Sequence, residues 1–482
     1  MLFSLSRGSS LLVVVFAVLL CLTLGLGLLV SRASYTVTVG VLAGIIIFIL
    51  SFVSTEIAIY VLIFATLLSP EFGGRETHGG GVTLRTEDFL LVIIGFSQLA
   101  RSALHKDIGL FRSTPLNRPI VFYVLACIFA TGLGIMFGRV RSPLAGSFFV
   151  LKYAEYYVVY FMVINNLHTK RQAKQYLAAI LLTCAIVCVV AMAQIPSGER
   201  IAAPFEGESG EPNTLGGYLL LILAVVMSLF LCSRPEDSQV YKLSLLALCG
   251  LIFIPILFTQ SRATWMAIIP TYIALIFLSP KKLLLIGTLI VAIVIAPLAV
   301  PKVVKDRIMY TFTREQTTYA QGLQEKVGGM TFDTSSSARV KMWRAAFRDF
   351  PKHPIVGYGV TGWRFIDAQF LRTLLETGLV GLVTFLYLLW AIYRESWRVY
   401  RETKDPFFRS VAMGFLAGVV AMTAHALTAN TFIIVRIMEP FWLLAGIVIV
   451  ALEVEAEEAK VAQEPKEEKK PWRLSRRLTV AR

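Results

Sequence analysis

The run from Asn213 to Cys232, NTLGGYLLLILAVVMSLFLC, contains no Asp, Glu, Lys or Arg in twenty residues. A helix rising about 1.5 Å per residue needs roughly that length to cross the ~30 Å hydrocarbon layer of a bilayer. Only a structure that pairs all its own backbone amides is stable there, so the run reads as a membrane-spanning helix. Similar runs begin near Leu11, Tyr35, Glu56, Asp88, Pro119, Gly146, Ala173, Val240, Ala263, Lys282, Ile366, Phe408 and Phe432. Thr55 and Glu56 are the only strong interruption between Tyr35 and Pro70, which sets the expected count at 12–14 spans. The chain is 56% hydrophobic and 16% charged, which excludes a soluble globule. The expected fold is an all-α polytopic membrane protein with a large, partly helical extracytoplasmic loop.

The short connections orient the bundle, because Lys and Arg are retained on the cytoplasmic side. Alternate connections hold Arg101, Lys106, Arg112 and Arg118, then Lys170, Arg171 and Lys174, then Arg234 and Lys242, then Lys281 and Lys282, then Arg394, Arg398, Arg401, Lys404 and Arg409. These share the cytoplasm. The connections near Arg139, Arg200, Arg262, Pro301 to Ile366 and Asn430 then lie outside, and both termini lie inside. Residues 1–300 are read as spans one to eleven, 301–366 as the outer loop, 367–452 as the last three spans and 453–482 as a charged cytoplasmic tail. Arg7 ahead of Leu11 to Val30 suggests a leader, but the run is long and lacks a small-residue cleavage site, so it reads as a retained first helix. The tail shifts from acidic (Glu453, Glu455, Glu457, Glu458) to basic (Arg473, Arg476, Arg477, Arg482) and reads as a disordered tether.

The net charge of +15 is distributed over these loops, so no nucleic-acid partner is expected. No Walker loop, dinucleotide fingerprint or metal motif occurs, and no cofactor or metal is expected. The six cysteines fall in or beside apolar spans without metal-ligand or disulfide spacing.

The outer loop from Pro301 to Ile366 carries eleven Lys or Arg against five Asp or Glu, on the side that normally avoids positive charge. An anionic, membrane-borne substrate accounts for that excess. Asp333 and the serines after it offer caps for a helix that Pro351 stops. Val340, Trp343, Phe347 and Phe350 fall on one apolar stripe, with Lys341, Arg344 and Arg348 on another face. Arg262 sits between two apolar runs with little loop to carry it away, and Arg200 occupies the preceding outer loop. Asp367 opens the next span, with Gly378 and Gly381 below it as positions of close helix approach.

The segment from Ser335 to Leu389, with Arg339, Trp343, Pro354-Ile-Val-Gly-Tyr-Gly and the Asp367 to Gly381 spacing, resembles the superfamily of O-antigen ligases and O-antigen or exopolysaccharide polymerases. Thr259 to Ala263 and the Pro212-Asn213 turn carry the likeness over roughly Arg200 to Val448. That resemblance implies a GT-C-like helical bundle acting as a metal-independent glycosyltransferase on the outer face of the bacterial inner membrane. Its donor is a glycan on undecaprenyl pyrophosphate. The ligase pattern carries His where this chain has Asp367, and the departure favours the polymerase branch. Partners implied are the lipid-linked glycan, membrane lipids, a flippase and a chain-length regulator.

Such chemistry needs fixed cations where the leaving pyrophosphate gains charge, and a base for the attacking hydroxyl. Arg200 and Arg262 are the expected cations and Asp367 the expected base. Arg339 and Arg364 are expected to help hold substrate, and Trp343 and Trp363 to stack on sugar rings. Structural roles stand beside each of these: Asp367 as a helix cap, the arginines as lipid anchors or carboxylate partners, and the tryptophans as packing residues. Lys152 with Glu155, and Arg436 with Glu439, are spaced to neutralise each other on one helix face. A Lys152–Glu155 coupling pair would instead suit a transporter of lipid-linked oligosaccharide. His425 reads as a packed, hydrogen-bonded residue.

Overall fold

The computed structural model describes residues 35–69, 71–72, 84–104, 112–204, 210–310, 326–327, 330–331 and 333–463. The first expected span, Gly328-Gly329 and the basic end of the tail lie outside the described residues.

The described chain is a helical bundle. In order, α1 is Tyr35–Val53, α2 Thr55–Leu68, α3 Thr86–Leu104, α4 Asn117–Met136, α5 Pro143–Asn166, α6 Lys170–Met192 and α7 Pro212–Leu231. Then come α8 Gln239–Phe258, α9 Arg262–Leu278, α10 Lys282–Ala299, α11 Lys302–Tyr310, α12 Thr334–Asp349, α13 Gln369–Glu402, α14 Pro406–His425 and α15 Val435–Gln463. Two antiparallel pairs of two-residue strands, Glu71–Phe72 with Leu84–Arg85 and Lys326–Val327 with Met330–Thr331, close short loops. Among the described residues, eight helices are long and apolar enough to cross a membrane, and five shorter apolar helices accompany them. The fold is therefore an all-α polytopic membrane protein.

Burial ranks the helices. The spanning windows of α7 and α15 are each 89% buried, against 22% for α8, so α7 and α15 form the axis and α8 faces lipid. α14 lies against α7 at backbone distance, since a Cβ on Gly414 would stand 2.6 Å from Val225 Cα. Gly418, one turn later, admits Leu221 in the same way.

The two sets of connections separate to opposite ends of this bundle. At one end Arg112 pairs with Glu453, Lys170 pairs with Asp405, and Lys281 donates to Ser233 O (3.3 Å). At the other, Arg139 donates to Gly357 O (3.2 Å), Arg200 to Thr259 O (3.3 Å) and Asn430 to Ile366 O (2.9 Å).

Several expectations are corrected. The segment after Glu453 is helical to Gln463 and clamps loops: Glu455 accepts from Thr403 Oγ1 (2.7 Å) and Lys404 N (3.0 Å), and Glu458 from Lys170 N (2.7 Å). Lys152 pairs with Asp88 of α3 (2.9 Å), not with Glu155. Both Asp88 oxygens accept from the Lys152 ammonium (3.1 and 2.9 Å). On the apolar stripe of α12, Trp343 and Phe350 pack against a small core and Phe347 is 60% exposed.

Gly378 marks a break rather than a helix contact. Its φ of 66° and ψ of −164° interrupt α13, a conformation that only glycine adopts without strain. A break orphans backbone groups on both sides, and the Pro354 to Gly359 loop pairs with them. Tyr358 N and Gly359 N donate to Leu375 O and Glu376 O (2.8 Å each), while Leu379 N donates to Pro354 O (2.8 Å) and Val380 N to Ile355 O (3.1 Å). The loop motif and the glycine spacing are thus two halves of one joint.

Candidate functional site

The end of the bundle where α7, α9 and α13 begin gathers the ionisable residues. α9 starts at Arg262, with Ser261 as its cap accepting from Thr264 N (3.2 Å). The turn before it has Gln260 at φ 50°, and Arg200 pins that turn by donating to Thr259 O (3.3 Å) and Gln260 O (3.4 Å). Ser261 also donates to Asn213 Oδ1 (2.7 Å), tying the turn to the start of α7. Below it Thr264 Oγ1 meets Ser261 Oγ (2.9 Å) and His425 Nε2 (3.3 Å), and His425 Nδ1 meets Thr431 Oγ1 (2.7 Å). His425 is therefore a buried, hydrogen-bonded support beneath the Arg262 turn.

Arg262 forms a fork on Asp333: Nη1 donates to Oδ1 (3.1 Å) and to Ser336 Oγ (2.6 Å), and Nη2 to Oδ2 (2.6 Å). Asp333 is at once this partner and the N-cap of α12, accepting from Ser336 N (3.1 Å). Burial opposes its charge, but the Arg262 and Ser336 hydrogen bonds outweigh burial and hold the carboxyl below its ordinary value. So Arg262 both contributes charge and docks the outer helix α12 onto the membrane bundle.

Two turns along α12, Arg339 Nη2 stands 4.0 Å from Asp367 Oδ2. The cap of α13 is Ala368, with no side-chain cap bond, so Asp367 is not acting as the helix cap. Its backbone is held from below: Gln369 N donates to Ala426 O (3.0 Å) and Ala429 O (3.2 Å), Phe432 N to Gln369 Oε1 (3.2 Å), and Asn430 Nδ2 to Asp367 Oδ1 (3.4 Å). Burial raises the Asp367 carboxyl above its ordinary value, with Arg339 and Arg372 partly offsetting it. A carboxylate raised in this way is a stronger base than a solvated one.

The cations repel one another, which shows how closely they are grouped. Burial, then Arg307, Arg262 and Arg339, lower the Arg200 guanidinium to about 10, and burial with Arg262 lowers Arg307. Among the described residues, these four guanidinium groups face three carboxylates, Asp333, Asp367 and Glu211, a surplus of positive charge suited to a multiply charged anion.

The structure thus brings Arg200, Arg262, Arg339 and Asp367 into one neighbourhood. Arg364 and Trp363 are tied to a different acid, Asp349: Trp363 Nε1 donates to Asp349 Oδ2 (3.3 Å), and Arg364 lies 4.0 Å from it and 5.1 Å over the Trp363 ring. Lys352 (2.8 Å) completes that group and holds the Asp349 carboxyl down to about 2. Trp343 packs with Trp363 against the small core of Ala346, Ile366, Ala368 and Leu375.

Arg307 on α11 was missed in the sequence, where it is one cation among several; its signal was a short helical run directly after a span. The Arg372–Glu376 pair (3.1 Å) was also missed, although its i, i+4 spacing is visible. Glu376 further accepts from Tyr153 OH (3.3 Å) and Thr361 N (3.2 Å), binding α13, α5 and the outer loop beneath Asp367.

Residues 247–386 match the family model described as O-antigen ligase. The match includes Arg262, Arg307, Arg339 and Asp367 and stops short of Arg200. No curated protein matches the chain.

Proposed function

We propose that this multi-pass member of the O-antigen ligase-like superfamily is a glycan polymerase, transferring a growing chain from undecaprenyl pyrophosphate to the next lipid-linked repeat at the outer face of the cytoplasmic membrane. The match supports ligase- or polymerase-type glycan processing in a membrane. The finer reading rests on one observation: Asp367, raised by burial, stands 4.0 Å from Arg339 at the edge of a cluster of four arginines.

In this reading an acceptor hydroxyl attacks the anomeric carbon of the donor sugar, and the bond to the pyrophosphate oxygen breaks with its electron pair. Arg200, Arg262, Arg307 and Arg339 stabilise the charge that builds on the leaving diphosphate. The hydroxyl proton passes to Asp367. The reaction needs no metal because guanidinium groups supply the positive charge. Carboxylate in place of the ligase histidine favours the polymerase branch, whereas the family description, O-antigen ligase, favours ligation.

Purified protein with lipid-linked repeats in detergent, without a membrane gradient, is expected to yield longer lipid-linked chains, and Asp367→Asn to abolish them. Transfer to lipid A core with chain lengths unchanged would identify a ligase. Movement of the lipid-linked glycan across vesicles without new bonds would identify a transporter.

A further inference from the structure

At the end of the bundle remote from the arginine cluster, a cavity of about 520 Å³ opens where α6, α8 and α14 begin and α7 ends. Its depth is apolar, with Leu181 and Leu229 among its walls, and its rim is cationic, with Lys170, Lys174 and Arg234. Lys170 is engaged by Asp405 and Arg234 by Glu236 (3.3 Å). One acid, Asp237, also lines the cavity, but it accepts from Arg234 N (2.7 Å). Lys174 is different: among the described residues its ammonium has no carboxylate or hydrogen-bond partner and stands 5.6 Å over the Phe407 ring. The positive ends of three long helices add to the field at this rim.

We propose that this cavity binds one anionic phospholipid, its phosphate at Lys174 and Arg234 and an acyl chain along Leu181 and Leu229. The two halves of the cavity select that occupant. Free phosphate would use the rim and leave the apolar depth hydrated, and a net-neutral lipid would fill the depth while bringing no net charge to Lys174. A cationic rim above an apolar slot at a helix-bundle end is matched by a negative headgroup joined to a hydrocarbon tail. The site is separate from the proposed glycan chemistry and does not depend on it.

The test uses the full-length protein, delipidated in detergent and titrated with phosphatidylglycerol or phosphatidylcholine of the same acyl chains, with bound lipid counted by native mass spectrometry. One phosphatidylglycerol per chain is expected to persist where phosphatidylcholine is lost. Lys174→Ala with Arg234→Ala is expected to weaken retention about 30-fold, from the typical contribution of a cation near an anionic lipid surface. Ala178→Trp, which places an indole in the cavity, is expected to prevent retention, and Arg171→Ala, an exposed cation outside the cavity, to leave it unchanged. Equal retention of phosphatidylcholine, or undiminished retention by the double-alanine protein, would overturn the proposal. Displacement of the lipid by inorganic phosphate alone would reduce the cavity to a simple anion site and overturn it too. Unfolding temperatures of each variant separate loss of binding from loss of fold.

Discussion

Replacing Arg339 by Gln removes a positive charge 4.0 Å from Asp367 while keeping a polar side chain of similar length. Two unit charges at that distance attract by about 1 kcal/mol in bulk water and about 4 kcal/mol near a protein surface. The two side chains retain 28% and 31% of their exposure, so solvent screening holds the effect near the lower figure. At about 1.4 kcal/mol per pH unit, roughly one unit results. The sign follows from the role. Asp367 serves as base only when ionised, burial has already raised its carboxyl, and Arg339 opposes that rise. Without Arg339 the carboxyl rises further, and the acid limb of kcat/KM for chain extension moves to higher pH by about one unit. The assay is the rate of lengthening of lipid-linked repeats by purified protein across pH 4 to 8. An acid limb that stays in place, or moves to lower pH, refutes the pairing of these residues in catalysis even if the overall rate falls.

Asp367→Asn is expected to lower the rate by about 10² to 10⁴-fold with the unfolding temperature unchanged, measured by the same assay beside a thermal melt. Arg262→Ala should cost both activity and stability, because it strands the buried Asp333; a buried pair broken on one side loses about 3–5 kcal/mol. Adding Asp333→Ala removes the stranded charge and should recover part of the melt, since the α12 cap is lost with it, but not the activity; recovered activity would remove Arg262 from the chemistry. Gly378→Ala forces a side chain into a backbone conformation costing about 1–3 kcal/mol and brings Cβ to 2.2 Å from Ile355 O, so a clear drop in unfolding temperature is expected; an unchanged melt would contradict the break in α13. Asp88→Asn leaves Lys152 charged inside the bundle and should destabilise the protein, whereas Asp88→Asn with Lys152→Met should fold and still extend glycan. Loss of activity in the folded double variant would point back to a coupling pair and transport.

Much of the architecture could be read because lipid imposes a strict pattern. The runs beginning near Pro119, Asn213 and Phe408 were legible since hydrocarbon admits no other use for them. Arg262 and Asp367 stood out because each charge lies against an apolar run, Arg200 read as a charge in the neighbouring outer loop, and the structure groups the three. What escaped was pairing between distant segments. Lys152 finds Asp88 across 64 positions, and local spacing pointed to Glu155 instead. Glu453 to Glu458 read as a solvated tail because nothing in their composition reveals that Arg112, Thr403 and the Lys170 amide wait opposite. Arg307 was hidden among neighbouring cations, since only the fold determines which of them turns toward Arg262.

The joint between the Pro354 to Gly359 loop and the broken α13 limits how the outer layer can move. Four main-chain bonds cross it, and each donor or acceptor left unsatisfied away from water costs about 1–3 kcal/mol. Lifting that loop would therefore require several times the thermal energy for every turnover. Among the described residues, the Arg262–Asp333 fork and the Arg339–Asp367 contact cross the same layer through side chains. In the proposed reading these contacts would be the latch that a diphosphate opens, exchanging an internal carboxylate for an incoming phosphate.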